Sequence, residues 1–257
     1  MPIKPHIRCL LFDLGSTLWT RQEEGMRLAK EETYRVAGLT LRRSPGGEIF
    51  ASQDMQTLGS MLHKLCEKWI SKEKQQQPEY EPDFVQAMVQ ASRQLGLSEA
   101  DRDLGQKLFE ALRVRIPVSR VLYPDTLSTL QTLRQRGYTL GIVTNRNYGG
   151  QPFYEDLRHM GLLEYFEYQH MAISADLGIR KPHPAIFKYA LEHLSVLPEE
   201  AAMVGDNLQA DVGGARQLNI LGIWKPKPAV RKTSSREQVD IVPDLTIEDL
   251  KDLLEIF

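Results

Sequence analysis

Ile7-Arg8-Cys9-Leu10-Leu11-Phe12-Asp13-Leu14-Gly15-Ser16-Thr17 reads as a buried strand that runs into a tight loop. The run from Ile7 to Leu14 is short and rich in Ile, Leu and Phe, and Gly15, Ser16 and Thr17 close it, which is how a core strand ends at a turn. Asp13 therefore stands at a strand tip, where a polar side chain can meet a ligand.

The rhythm on the far side of the chain matches this start. After Pro124 the pattern predicts a helix over Thr126 to Arg136, a stop at Gly137 and a strand from Tyr138 to Thr144. Further apolar segments follow near Met171, from Ala201 to Val204 and from Ile220 to Trp224. Strands alternating with helices imply a mostly parallel α/β sheet. Glu248 to Phe257 is expected to close the chain as a short helix with Leu250, Leu253 and Leu254 on its apolar side.

Between these parts the period is helical. Leu58, Met61, Leu62, Leu65, Cys66 and Trp69 recur in steps of three and four, as on one helix face. Ser71 to Pro78 is expected as a solvated helix end and loop, and Phe84, Val85, Met88 and Val89 mark another helix. Ser98 and Asp101 are candidate caps for the next. The simplest assembly is one α/β core made from residues 1–20 and 121–257, interrupted by a helical insertion of residues 21–120. In open α/β sheets ligands gather at the carboxyl ends of strands.

The chain has 257 residues, 42% hydrophobic and 26% charged, with a formal net charge of -2, so a sizeable core is expected without external staples. That balance gives no general bias toward nucleic acid or membrane. The two cysteines, Cys9 and Cys66, supply no disulfide framework or zinc site and are expected as buried thiols. Met1 to Arg8 lacks a cationic start followed by a long apolar stretch, and no later run is apolar enough to span a bilayer. A soluble cytoplasmic protein is the expectation. Lys225, Lys227, Arg231, Lys232 and Arg236, interleaved with Pro226, Pro228, Ser234 and Ser235, read as a solvated connecting loop that could border a site and attract anions.

Several polar residues stand at strand ends. Asp13 can act as a carboxylate nucleophile or a metal ligand, or can simply cap its loop. Asp206 and Asp211 are spaced so that a strand-to-loop turn and a first helical turn could aim both at one cavity. Their oxygens suit Mg²⁺, although Asp211 also reads as a helix cap. Lys181 precedes Pro182 and Pro184 in a helix-opening sequence. Thr144 and Asn145 end the strand that begins at Tyr138.

Taken together, Phe12-Asp13-Leu14-Gly15-Ser16-Thr17-Leu18, Ile142-Val143-Thr144-Asn145, Arg180-Lys181-Pro182-His183-Pro184 and Gly205-Asp206-Asn207-Leu208-Gln209-Ala210-Asp211 resemble the four motifs of the haloacid-dehalogenase-like superfamily. The resemblance implies a Rossmann-like parallel-sheet core carrying an inserted all-α cap. It also implies a phosphatase in which Asp13 forms an aspartyl-phosphate. Asp13, the Gly15 carbonyl and Asp206 would hold Mg²⁺, with Asp211 beside them. Lys181 would offset phosphoryl charge, and Thr144 and Asn145 would bind the phosphoryl group. The expected substrate is a small phosphorylated metabolite, with no nucleic-acid or membrane partner.

The motif departs from the family pattern at Gly15, where phosphatases carry a second Asp that protonates the leaving group, and at Ser16, where Gly is common. Three consequences follow. The leaving group could be acidic enough to need no proton, or another acid such as His63 or an ordered water could serve. Alternatively, the chain could be a weakly active or inactive phosphate- or partner-binding module. Carbon–halogen cleavage by Asp13 is a further alternative, because dehalogenases of the superfamily also lack the second Asp.

Overall fold

The computed structural model describes residues 6–227 and 241–257, and the chain divides into two compact units, Gln22–Arg120 and the pair Met1–Arg21 with Val121–Phe257.

The unit Gln22–Arg120 is helical. It comprises α1 (Glu23–Arg43), α2 (Met55–Gln76), α3 (Phe84–Gln94), α4 (Arg102–Leu112) and the single turn α5 (Ile116–Ser119). Aspartates open three of these helices: Asp54 accepts from the Thr57 N–H, Asp83 from Gln86 and Asp101 from Leu104. Each cap satisfies a donor that has no partner within its helix and stabilises it by about 1 kcal/mol. Asp101, not Ser98, is thus the cap of α4. Leu41, Leu58, Leu62, Cys66, Ile70, Ala87, Met88 and Leu108 are buried together in this unit's core. Met61 departs from the expected stripe and is 42% exposed. Its place is on the edge of an arc that the four-residue steps Leu58, Leu62, Cys66 and Ile70 carry away from it. Gly38 lets α1 and α2 touch backbone to backbone, since a Cβ there would lie 1.9 Å from the Met55 carbonyl oxygen.

The other unit is an α/β core. Its strands are β1 (Cys9–Phe12), β2 (Trp19–Arg21), β3 (Arg120–Leu122), β4 (Thr139–Thr144), β5 (Met171–Ile173), β6 (Ala201–Gly205), β7 (Leu221–Trp224) and β8 (Leu245–Thr246). Six of them form one sheet in the order β5-β4-β1-β6-β7-β8, while β2 and β3 pair separately. Every recorded pairing in the large sheet is parallel. The helices are α6 (Thr126–Gln135), α7 (Gly150–His159), the short α8 (Ser174–Leu177), α9 (Pro184–Leu194), the short α10 (Gly214–Arg216) and the terminal α11 (Leu253–Ile256). β1 and β6 are buried at every residue, as strands covered on both faces by helices must be.

Boundaries differ from expectation where local bonds intervene. β1 stops at Phe12 although the Asp13 N–H still bonds to the Val204 carbonyl. β4 begins at Thr139 because Tyr138 is held in the turn after α6 by its bond to Leu133. The closing helix is shorter than Glu248 to Phe257: a 3₁₀ turn over Leu250–Asp252 leads into α11.

The strand order places the functional question. From β1 the chain builds outward through β4 and β5, then returns to the other side of β1 with β6 and continues outward through β7 and β8. The switch point lies between β1 and β6, where the loops leaving neighbouring strands part in opposite directions and open a crevice at the carboxyl edge.

Candidate active site

Asp13 and Asp206 flank that crevice, following the last residues of β1 and β6, and Thr144 ends β4 on the other side of β1. Asp13 is 9% exposed. Its Oδ1 accepts from the Thr144 hydroxyl at 3.2 Å and from the Lys181 ammonium at 2.7 Å. Lys181 is almost wholly buried. Its Nζ also donates to the Val143 carbonyl at 2.6 Å and lies 2.6 Å from Asp211 Oδ1. The last contact is a buried ion pair. Burial works against the lysine charge, but Asp13 and Asp211 outweigh it and hold the ammonium above the ordinary lysine range.

The reach of Lys181 into the site is set by Asn145. Its carboxamide donates to the Lys181 carbonyl at 3.0 Å and accepts from the Lys181 N–H at 2.8 Å. Both ends of this side chain therefore hold the lysine's own peptide. The next residue is fixed as well, since the Ser174 hydroxyl accepts from the Arg146 N–H and donates to the Arg146 carbonyl.

Asp206 and Asp211 approach Asp13 on the opposite flank. A π-helical turn over Leu208–Gly213, capped by Asn207 through its bond from Ala210, carries Asp211 back to the strand end. The cap is Asn207, while Asp211 Oδ2 accepts from the Asn207 N–H at 2.9 Å. Gly205 makes this return possible, because a Cβ there would lie 2.2 Å from Asp211 Oδ2. Asp13, Asp206 and Asp211 each offer a carboxylate oxygen, and these lie within 4.8 Å of one another. Burial, and then the negative charge of Asp13, push the Asp206 carboxyl above its ordinary range, with Lys227 pulling it back. Burial also pushes Asp211 up, against Lys181 and with Asp13.

This donor set fits a hard divalent cation. Three carboxylates crowd together, and the ammonium of Lys181 is already shared between Asp13 and Asp211. Asp13, Asp206 and Asp211 are the carboxylates that could hold such a cation. Asp211, with one oxygen on the Asn207 N–H and the other against Lys181, is placed chiefly to orient the cluster. The Gly15 carbonyl takes no part in the local bridge to Trp19, which is made by Ser16 N–H to Trp19 C=O and Trp19 N–H to Leu14 C=O. A side chain at Gly15 would meet nothing within 4 Å of its Cβ.

The remaining sequence candidates fall elsewhere. His63 lies on α2, its ring tilted against Tyr34 at 5.3 Å and its Nε2 3.9 Å from Glu67, with burial lowering its pKa. These contacts give it a packing role within the helical unit. Lys227, expected in a solvated loop, instead contacts Asp206 Oδ2 at 3.0 Å. Lys225 is buried with its ammonium 3.9 Å from the Tyr123 ring centroid. Pro228, Arg231, Lys232, Ser234, Ser235 and Arg236 lie outside the described residues. The Val143 carbonyl, a backbone acceptor at a strand end, carries no side-chain signal in sequence. Lys227 had one: it closely follows β7, the strand beside β6.

Comparison with known proteins places this geometry. A family model described as a haloacid dehalogenase-like hydrolase matches residues 7–219. The chain is 37% identical over 172 residues to a phosphoserine phosphatase of Thermus thermophilus, covering 66% of this chain and 61% of that protein. It is 38% identical over 135 residues to a glyceraldehyde 3-phosphate phosphatase of Pyrococcus furiosus, covering 52% of this chain and 53% of the relative. The chain thus spans less than two thirds of the length of these relatives. Among solved structures, a 2-haloacid dehalogenase of Pseudomonas syringae superposes with a TM-score of 0.64 at 25% identity, covering 97% of each chain.

Asn145→Ala removes both bonds to the Lys181 peptide and is expected to lower the unfolding free energy by about 1–3 kcal/mol. Asn145→Asp keeps the acceptor for the Lys181 N–H but sets an anionic oxygen against the Lys181 carbonyl, so it is not expected to recover this loss. Urea denaturation measures both, and an unchanged midpoint in Asn145→Ala would remove the clamp from the account.

Proposed function

The chain belongs to the haloacid dehalogenase-like hydrolases, and on that premise we propose that it is a Mg²⁺-dependent phosphatase that transfers the phosphoryl group of a small phosphorylated metabolite to Asp13. The observation that carries this reading is the Asp13 carboxylate at the switch point, with one oxygen held by Lys181 and Thr144 and the carboxylates of Asp206 and Asp211 alongside.

In the first half-reaction a carboxylate oxygen of Asp13 attacks phosphorus. The bond from phosphorus to the leaving oxygen breaks, and that oxygen departs with the electron pair. Lys181 and Thr144 keep Asp13 oriented and offer cationic and hydroxyl donors to charge gathering on the phosphoryl oxygens. Asn145 holds Lys181 in reach. In the second half-reaction water attacks the phosphorus of the aspartyl-phosphate, releasing phosphate and restoring the carboxylate. Bound Mg²⁺, held by Asp13, Asp206 and the Gly15 carbonyl with Asp211 beside them, would supply electrostatic neutralisation of the phosphoryl oxygens.

Gly15 carries no side chain to protonate the departing oxygen. This favours substrates whose leaving group is already a weak base, such as acyl or aryl phosphates. The phosphatase names of the sequence relatives support phosphate-ester chemistry. Two buried free thiols, Cys9 and Cys66, support a reducing cytoplasmic setting, and among the described residues no helix is long and apolar enough to cross a membrane.

A second reading, dehalogenation by Asp13, draws on the likeness to the Pseudomonas syringae dehalogenase and on Gly15. The three clustered carboxylates weigh against it, because displacement of halide by a carboxylate needs no divalent cation to neutralise a phosphoryl group.

The purified protein is expected to hydrolyse acetyl phosphate and p-nitrophenyl phosphate with Mg²⁺, and Asp13→Asn should fall below about a thousandth of that rate. Full activity in Asp13→Asn would remove the nucleophile from this account. Because the space at Gly15 is open, Gly15→Asp should raise turnover of alkyl phosphates about tenfold or more relative to aryl phosphates. An unaltered ratio would show that the missing side chain does not set leaving-group preference.

A further inference from the structure

The chain leaving β7 is fastened to the end of β6. The Trp224 indole N–H donates to the Asp206 carbonyl at 2.9 Å, and the Lys225 N–H donates to the Gly205 carbonyl at 2.9 Å. Lys225 then turns its side chain onto the Tyr123 ring. Lys227 reaches back, and its ammonium lies 3.0 Å from Asp206 Oδ2, with side-chain exposures of 53% for the lysine and 9% for the carboxylate.

A nearly buried carboxylate beside two others needs a cation. Lys181 is not available for Asp206, because its Nζ already meets Asp13, Val143 and Asp211. Lys227 fills that need from a half-exposed position. An ion pair with one member in solvent contributes little and exchanges readily. Once a divalent cation is present, it and Lys181 together balance the charges of Asp13, Asp206 and Asp211, and the Lys227 ammonium becomes surplus at Asp206.

We propose that Lys227 is a tethered counter-cation of Asp206, which a divalent cation must displace, so that this lysine sets how much metal the site requires. The inference rests on the metal-dependent reading of the site.

The test measures Mn²⁺ binding by the loss of the free-ion electron paramagnetic resonance signal, without substrate, in the wild type, Lys227→Ala, Lys227→Arg and Asp206→Asn. Lys227→Ala is expected to bind Mn²⁺ about three- to fivefold more tightly than wild type, with the gap narrowing as salt rises. Lys227→Arg keeps the charge and should stay close to wild type. Asp206→Asn should lose the tight site. Equal or weaker binding in Lys227→Ala, with Asp206→Asn still impaired, overturns the role of Lys227 and leaves the metal site standing. Absence of tight binding in the wild type and Lys227→Ala alike overturns both.

Discussion

A lysine ammonium buried at the carboxyl edge of a parallel sheet is stable only if oxygens of the protein surround it, and the whole site is arranged around that demand. Lys181 meets Asp13, Val143 and Asp211 at 2.6–2.7 Å. These partners come from the ends of two strands and from the turn after a third, so one charge ties β1, β4 and the segment after β6 together. Removing the charge would leave carboxylates crowded with little to offset them, a far larger penalty than loss of a surface pair. The buried cation holds the Asp13 carboxylate in place, and the excess negative charge beyond it makes the cluster attractive to a divalent ion.

The sheet order explains why these groups can meet at all. β1 lies between β4 and β6, so Asp13 at its tip has Thr144 on one side and Asp206 on the other. Asn145 and Asp211 then act through second contacts: one grips the peptide of Lys181, the other touches its ammonium while bonding to Asn207. Such supporting contacts keep Lys181 and Asp13 within a narrow range of positions. Gly205 belongs to the same arrangement, since its bare Cα is the space that Asp211 enters.

Strand tips were legible in the sequence because an apolar run followed by a polar residue states both the burial and its end. Phe12-Asp13, Val143-Thr144 and Gly205-Asp206 follow this rule, and the alternation after Pro124 conveyed the α/β class. Lys181 was not readable from periodicity. It stood out only through resemblance, because a lysine beside two prolines is ordinary loop chemistry. The clamp between Asn145 and Lys181 joins residues 36 positions apart, and the contact between Lys227 and Asp206 depends on β7 lying against β6. No local pattern encodes such pairings. Met61 shows the opposite failure: helical spacing put it near the stripe, but the direction in which Leu58, Leu62, Cys66 and Ile70 drift decided which face is buried.

The central claim is that Asp13 carries the phosphoryl group during turnover. Its most direct test is to quench the protein in acid while it is hydrolysing acetyl phosphate, reduce it with borohydride, and examine the peptide containing residue 13 by mass spectrometry. An aspartyl-phosphate is reduced to homoserine, so the account predicts homoserine in place of Asp13. An actively hydrolysing preparation in which Asp13 remains aspartate would contradict it.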